Sequence, residues 1–266
     1  MTPLKLIHPD WTIPANIRAF STTRQGGSSL SPWASLNLAT HVGDTPQCVD
    51  ENRARLCQAA DLPSSIQWLN QTHGTTVHAL RSYSPQPVTA DAIWTDQPEQ
   101  VCAVLTADCL PILMAREDGK CVSAIHAGWR GLAEGIIEKS LQAIGALSCP
   151  EQWHAWIGPA ISVRAFEVGQ DVYDIFCQNH PHLHPFFHPP QNCQRLNSPS
   201  SQCSNPSSKW MADLPAIATE LFRQKQITRV WHSNLCTWED NDQFFSYRRE
   251  GTTGRIASLI WIAPSR

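Results

Sequence analysis

The sequence lacks the features that would settle its class at once. It has 3 tyrosines against 11 tryptophans, no block of like charges, no apolar run approaching a bilayer span, and no compact metal-binding pattern such as CxxC pairs or HExxH. Each absence excludes something. Lys plus Arg is 20 and Asp plus Glu is 23, for a net charge of −3 with neutral histidine, so no broad electrostatic footprint for nucleic acid is expected. The opening stretch MTPLKLIHPDW has neither the basic prelude nor the apolar core of a signal peptide. The expectation is a soluble, cytoplasmic protein with no membrane partner. No repeat occurs at solenoid spacing.

What is present points to one domain spanning 1–266, long enough at 266 residues to bury a substantial core. The 10 cysteines are scattered, and several, such as Cys102 and Cys121, sit in apolar runs. Free thiols are therefore expected rather than a disulfide framework. Trp153, Trp156 and Trp261 lie in apolar alternation and read as core.

Strand-like runs dominate: IRAFST, ADAIWT, VCAVLT, PILMA, CVSAIHA and WHAWI, with REDGK as a hairpin between the fourth and fifth. Helical spacing appears in CVDENRARLCQAADL, where Val49, Leu56 and Ala60 share a face. It recurs in LAEGIIEKSLQAIGAL, read as one continuous helix, in EVGQDVYDIFCQN and in MADLPAIATELFRQKQI. FFSYRREGTTGRIASLIWIA reads as strand, turn, strand. The stretch 180–208, rich in Pro, Ser and His, reads as a surface loop insertion that builds no core element. The fold class expected is α/β of the mixed α+β kind: a single layered domain with mixed β-sheets flanked by helices.

Three residues stand at turns beside buried strands and carry donors that suit a metal: His73 in QTHG, Cys109 in TADC and His126 in HAGWRG. Catalytic zinc commonly takes three N or S ligands and keeps a fourth position open. A thiolate with two imidazoles suits Zn²⁺, with copper possible. Glycines close behind both histidines would let the backbone bend tightly there. A lone histidine near a strand end is, however, ordinarily a satisfied structural residue, and Cys109 and His126 are too far apart for one helical face.

The strings QTHG, TADCLPILM, HAGWRG and FFSYRR, in that order, are similar to the YfiH family of laccase-domain, or multicopper polyphenol oxidoreductase-like, proteins. STTRQGGSS, SLNLATHVGD, ADAIWT, IGPAI followed by FEVG, and CT ahead of FFSYRR agree. The resemblance runs from about Phe20 to Arg255. It implies a YfiH/CNF-toxin-like fold, with one zinc held by His73, Cys109 and His126. It also implies phosphorolysis of adenosine, inosine, guanosine and methylthioadenosine, with adenosine deamination as a companion activity. The partners implied are purine nucleosides and phosphate.

Copper-dependent phenol oxidation would need many more imidazoles. His180, His182 and His184 alternate, but within the loop insertion. Among catalytic candidates stand Cys109, His126, Asp91 and Arg130, the last where helix amides would favour phosphate; it could equally be a surface arginine in an ordinary salt bridge. Arg24, Asn37, Gln71 and Arg248 are candidates for substrate contacts or, equally, turn-stabilising hydrogen-bonders. Asp91 and Asp108 could orient ligands or serve as acid/base groups. A different enzyme class remains open: Cys109 as a thiolate nucleophile beside His126, in an amidase that edits peptidoglycan precursors in the cytoplasm.

Overall fold

Two sheets lie face to face, with helices on the outside of each. The computed structural model describes residues 4–190 and 209–264. The six-stranded sheet runs, edge to edge, Arg229–His232, Trp153–Ile157, Leu110–Arg116, Val122–Ala127, Ala92–Thr95 and Val77–Ala79. The five-stranded sheet runs Leu6–Ile7, Ile17–Thr22, Ile256–Ile262, Val101–Thr106 and Ile66–Gln67.

Side-chain alternation along each strand assigns the layers. Along Leu110–Arg116, the side chains of Leu110, Ile112 and Met114 join the cluster beneath the helices Ile136–Ala143 and Leu214–Gln224. Leu113 and Ala115 point the other way and pack against Cys102, Val104 and Ile260 of the second sheet. On that sheet's far face Ala103, Leu105, Ala257 and Leu259 meet Leu56 of the helix Pro46–Ala59. The result is helix, sheet, sheet, helix: the mixed architecture expected, but as four layers.

Trp153 and Trp156 fall on opposite faces of one strand, both fully buried. The REDGK hairpin forms, with Gly119 at φ +70° turning Leu110–Arg116 into Val122–Ala127. No helix among the described residues is long and apolar enough to cross a membrane.

Several expectations need correction. EVG and MA, read as the starts of helices, belong to the strands Glu167–Gly169 and Lys209–Ala212, which pair antiparallel ahead of the helices Gln170–Asn179 and Leu214–Gln224. The stretch read as one helix over LAEGIIEKSLQAIGAL is two, Trp129–Ala133 and Ile136–Ala143, because Gly135 adopts φ +89° and lets the chain change direction while Leu132, Ile136, Ile137 and Leu141 all stay buried. FFSYRRE is not a strand. Ser246 caps a short helix, Tyr247–Glu250, by accepting from the Arg249 amide, and Phe244 and Phe245 are buried in a small separate cluster. The start of the loop insertion is structured: Pro181–Phe186 is a 3₁₀ helix and Phe187–His188 a strand, with Leu183 and Phe187 in the core. Two apolar residues at the right offsets outweigh the prolines around them. Residues 191–208, the rest of that insertion, lie outside the described residues.

Candidate metal centre

Strand register brings the triad together. Val122–Ala127 and Leu110–Arg116 pair antiparallel with His126 opposite Pro111 and Ala127 opposite Leu110, so Cys109 enters the sheet at the end where His126 leaves it. Alternation gives both residues the face turned toward the second sheet. The turn after Leu69–Asn70 delivers His73 to the same end. The candidate donor atoms of His73, Cys109 and His126 lie within 4.8 Å of one another, and His73 Nε2 is 3.8 Å from Cys109 Sγ. The two imidazoles meet edge to face at 4.8 Å. His126 is buried, Cys109 half-buried and His73 exposed.

Asp91 holds this arrangement. It is fully buried, and Oδ1 accepts from His126 Nδ1 at 2.8 Å and from the His73 amide at 2.9 Å. Oδ2 accepts from the Gly74 amide at 2.8 Å, the Thr72 amide at 3.2 Å and the Thr72 hydroxyl at 3.1 Å. One carboxylate thus fixes the His126 tautomer, leaving Nε2 toward the triad, and pins the turn that carries His73. Burial pushes the Asp91 carboxyl up, but the bonds from His126, Gly74 and Thr72 outweigh it and hold it below the ordinary carboxylate range. It therefore stays ionised well into acid.

The glycines do not act as expected. At the QTHG turn His73 itself takes φ +60°, a conformation held by Asp91 rather than supplied by Gly74. Gly128 is extended, at φ −67°, and its role is close approach. A Cβ there would lie 2.8 Å from His73 Cδ2 and 3.2 Å from Cys109 Sγ. Gly128→Ala should therefore displace two donors at once, and elemental analysis after dialysis should find metal affinity lowered by about tenfold or more, with the melting temperature little changed.

The donor set fits a metal. Burial raises the Cys109 thiol, but the positive charge of His126 and hydrogen bonds from both imidazoles outweigh it and bring it down to about 6. Burial lowers His126, yet the Cys109 thiolate and Asp91 bring it up to about 9. Both shifts favour the charged forms, thiolate and imidazolium, and a divalent ion would take the place of the His126 Nε2 proton. Among the described residues this is the one group of three such side chains close enough to hold an ion. His180 and His182 touch edge to face at 5.6 Å, while His184 packs on Tyr173.

The other candidates occupy varied places. Asp108, at φ +96°, accepts from Thr237 Oγ1 at 2.6 Å, Ser246 Oγ at 3.1 Å and the Arg248 amide at 2.7 Å, fixing the turn that ends in Cys109. Asn37 is fully buried and bonded to Asp44 and the Ala39 backbone. Gln71 exchanges two bonds with the Leu105 backbone. Arg24 pairs with Glu250 and lies over Phe245. The Arg248 guanidinium donates to Glu167 O and lies over Phe166. Arg130, exposed, stacks on Trp129 in the first turn after Gly128.

Behind the Asp108 turn opens a cleft of about 640 Å³, lined by Ile161, Arg164, Asp213, His232 and Cys236. The triad is not part of its lining. Thr237 and Ser246, which hold Asp108, were not singled out from sequence; a hydroxyl inside the CT and FFSYRR motifs was the available signal.

Comparison with known proteins gives the family of the chain. The family model described as multi-copper polyphenol oxidoreductase laccase matches residues 18–263. A purine nucleoside phosphorylase of Haemophilus influenzae is 42% identical over 258 residues, covering 97% of this chain and 99% of the relative. The purine nucleoside phosphorylase YfiH of Escherichia coli is 41% identical over 259 residues, covering 97% and 99%. A crystal structure of a Neisseria meningitidis protein of the DUF152 family superposes with a TM-score of 0.87 at 41% identity, covering 97% of this chain and 99% of that one. Full-length likeness at this level, in sequence and in fold, makes the chain a member of the YfiH (DUF152) laccase-domain family.

Proposed function

We propose that this protein is a zinc-dependent purine nucleoside phosphorylase acting on adenosine, inosine, guanosine and methylthioadenosine, with adenosine deamination at the same site. The observation that carries the reading is the convergence of His73, Cys109 and His126 at one strand end, in a chain whose full-length relatives are purine nucleoside phosphorylases. In phosphorolysis a phosphate oxygen bonds to the ribose C1′ as the C1′–N9 bond breaks. The bonding pair leaves on the purine, and a proton reaches the ring to give the neutral base. A zinc at the triad would supply Lewis-acid polarisation of a substrate or water oxygen.

The chain's own residues do the rest. Asp91 orients His126 and the His73 turn. Arg130, two residues after the Gly128 that abuts the triad, would offer an exposed guanidinium for phosphate, and Arg24, Asn37, Gln71 and Arg248 would frame the loops that meet the nucleoside. Products separate the activities. Metal-quantified protein incubated with adenosine and phosphate should yield adenine and ribose-1-phosphate, with inosine as the deaminase product; neither appearing would end the reading. For Arg130→Ala we expect the KM for phosphate to rise about tenfold, the scale of one charge-assisted contact, with metal content unchanged.

One observation favours a second reading: Cys109 Sγ beside two imidazoles, with its thiol depressed to about 6, is also the arrangement of a cysteine nucleophile and base. Such an amidase would survive chelation and show covalent labelling of Cys109 during turnover of a muropeptide; a phosphorylase that needs its metal would do neither.

A further inference from the structure

Most arginines in this fold are paid off by a carboxylate. Arg24, Arg81, Arg116, Arg164, Arg223 and Arg229 each pair with an Asp or Glu. Arg255 does not, although it is half-buried. Its Nη1 donates to its own neighbours, Thr253 O at 2.9 Å and Gly254 O at 3.0 Å, and among the described residues Nε and Nη2 have no partner. A half-buried guanidinium whose two remaining donors reach solvent, with no carboxylate to hold them, is free to take an anion.

Its position says where that anion would be. Arg255 directly precedes the strand Ile256–Ile262, in which Ile256 pairs with Thr106, so Arg255 stands beside Ala107 as the chain enters the Asp108–Cys109 turn. Its backbone is clamped from both sides: its amide donates to Asn37 Oδ1 at 3.0 Å, and its carbonyl accepts from the Leu38 amide at 3.3 Å. Behind it Arg53 donates from both Nε and Nη2 to Leu38 O, at 3.0 and 2.9 Å, and lies over Trp68. The guanidinium sits 5.8 Å from the ring centre of Tyr247, which is exposed. Arg255 is close enough to Cys109 and Asp108 to feel both charges.

The geometry points to Arg255 as the principal oxyanion anchor of the metal cleft, presenting Nε and Nη2 as a fork to inorganic phosphate, with Arg53 as a positioning residue that holds the Leu38 segment against it. A planar guanidinium with two parallel donors matches two phosphate oxygens, which an ammonium does not. This rests on the phosphorylase reading for the identity of the anion, whereas the subsite itself stands on the unpaired guanidinium. Arg130, the exposed residue of the short helix Trp129–Ala133, would be a second cation for the same phosphate.

Titration calorimetry of the metal-quantified protein with inorganic phosphate tests it. Arg255→Gln should weaken phosphate binding about tenfold or more, as expected for loss of a charge-assisted fork, with metal content and the KM for nucleoside unchanged. Arg255→Lys should restore part of the affinity, and the control Arg18→Gln, at the far end of the neighbouring strand opposite Trp261, should show none of the loss. Phosphate affinity equal to the parent in Arg255→Gln overturns the assignment. Should both variants fail to fold, phenylglyoxal modification of the unaltered protein decides: phosphate should protect Arg255 in peptide mapping, and absence of protection overturns it. Phosphate binding through Arg255 without nucleoside turnover would sink the phosphorylase reading and leave the subsite standing. Turnover with phosphate affinity indifferent to Arg255 would do the reverse.

Discussion

His73→Ala, Cys109→Ala and His126→Ala are each expected to lose bound metal and nucleoside turnover while retaining a cooperative thermal transition. With two donors left of three, affinity should drop by more than the 10- to 100-fold typical of disturbing a residue that only orients a ligand. Elemental analysis after dialysis reads this directly, and unchanged metal in all three would mean the ligands are wrongly assigned. The fold should survive because its stability is lodged elsewhere. Trp153, Trp156, Phe176, Phe222, Phe244 and Phe245 are fully buried, each contributing roughly 1.5–3 kcal/mol, whereas His73 is exposed and Cys109 half-buried. His126→Ala should be the least stable of the three, since it leaves the Asp91 carboxylate buried without its imidazole partner.

Asp91→Ala is expected to damage stability and metal binding together. The Thr72, His73 and Gly74 amides would lose their acceptor, and each buried donor left unpaired costs about 1–3 kcal/mol. Because that turn is partly open to water, about 3 kcal/mol in total is the expected loss by denaturant unfolding. Metal affinity should fall about 10- to 100-fold, since nothing then holds the His126 ring or the His73 turn. Asp91→Asn separates the two effects. Its one carbonyl oxygen can still accept amides, so the turn should recover more than the metal does. Equal metal content in Asp91→Ala and the parent would show that the triad organises itself.

The pH dependence of the Asp91 contribution follows from its lowered pKa. A carboxyl depressed by folding stabilises fully above its unfolded value, near 3.9, and loses that contribution as pH falls through the lower folded value. Acid unfolding of the parent should thus include a component that Asp91→Asn lacks.

The central strands were legible because VCAVLT, PILMA and CVSAIHA are short apolar runs bounded by turn residues, though their pairing into two sheets was not. Trp153 and Trp156 declare opposite faces three residues apart. The site was half legible: the three ligand types at strand ends could be named, but their meeting depends on the Pro111–His126 register, a long-range fact that no local pattern carries. What escaped was whatever depends on a single backbone angle or a distant partner. Gly135 broke a helix whose apolar spacing continued through it, Ser246 turned a run of aromatics into a cap, and Gly128 serves by having no side chain. Arg255 escaped for another reason. Its significance lies in the partners that two of its donors lack in the folded chain, and no local sequence pattern carries that.

The unequal exposure of the three ligands bears on how the ion would come and go. With His126 at the bottom, Cys109 midway and His73 at the mouth, loading has a direction: an arriving cation meets the outer imidazole first and can be handed inward without any strand parting. An ion held at the triad would therefore enter and leave a folded chain from one side, and occupancy would follow what the surrounding solution supplies rather than what was available when the polypeptide was made.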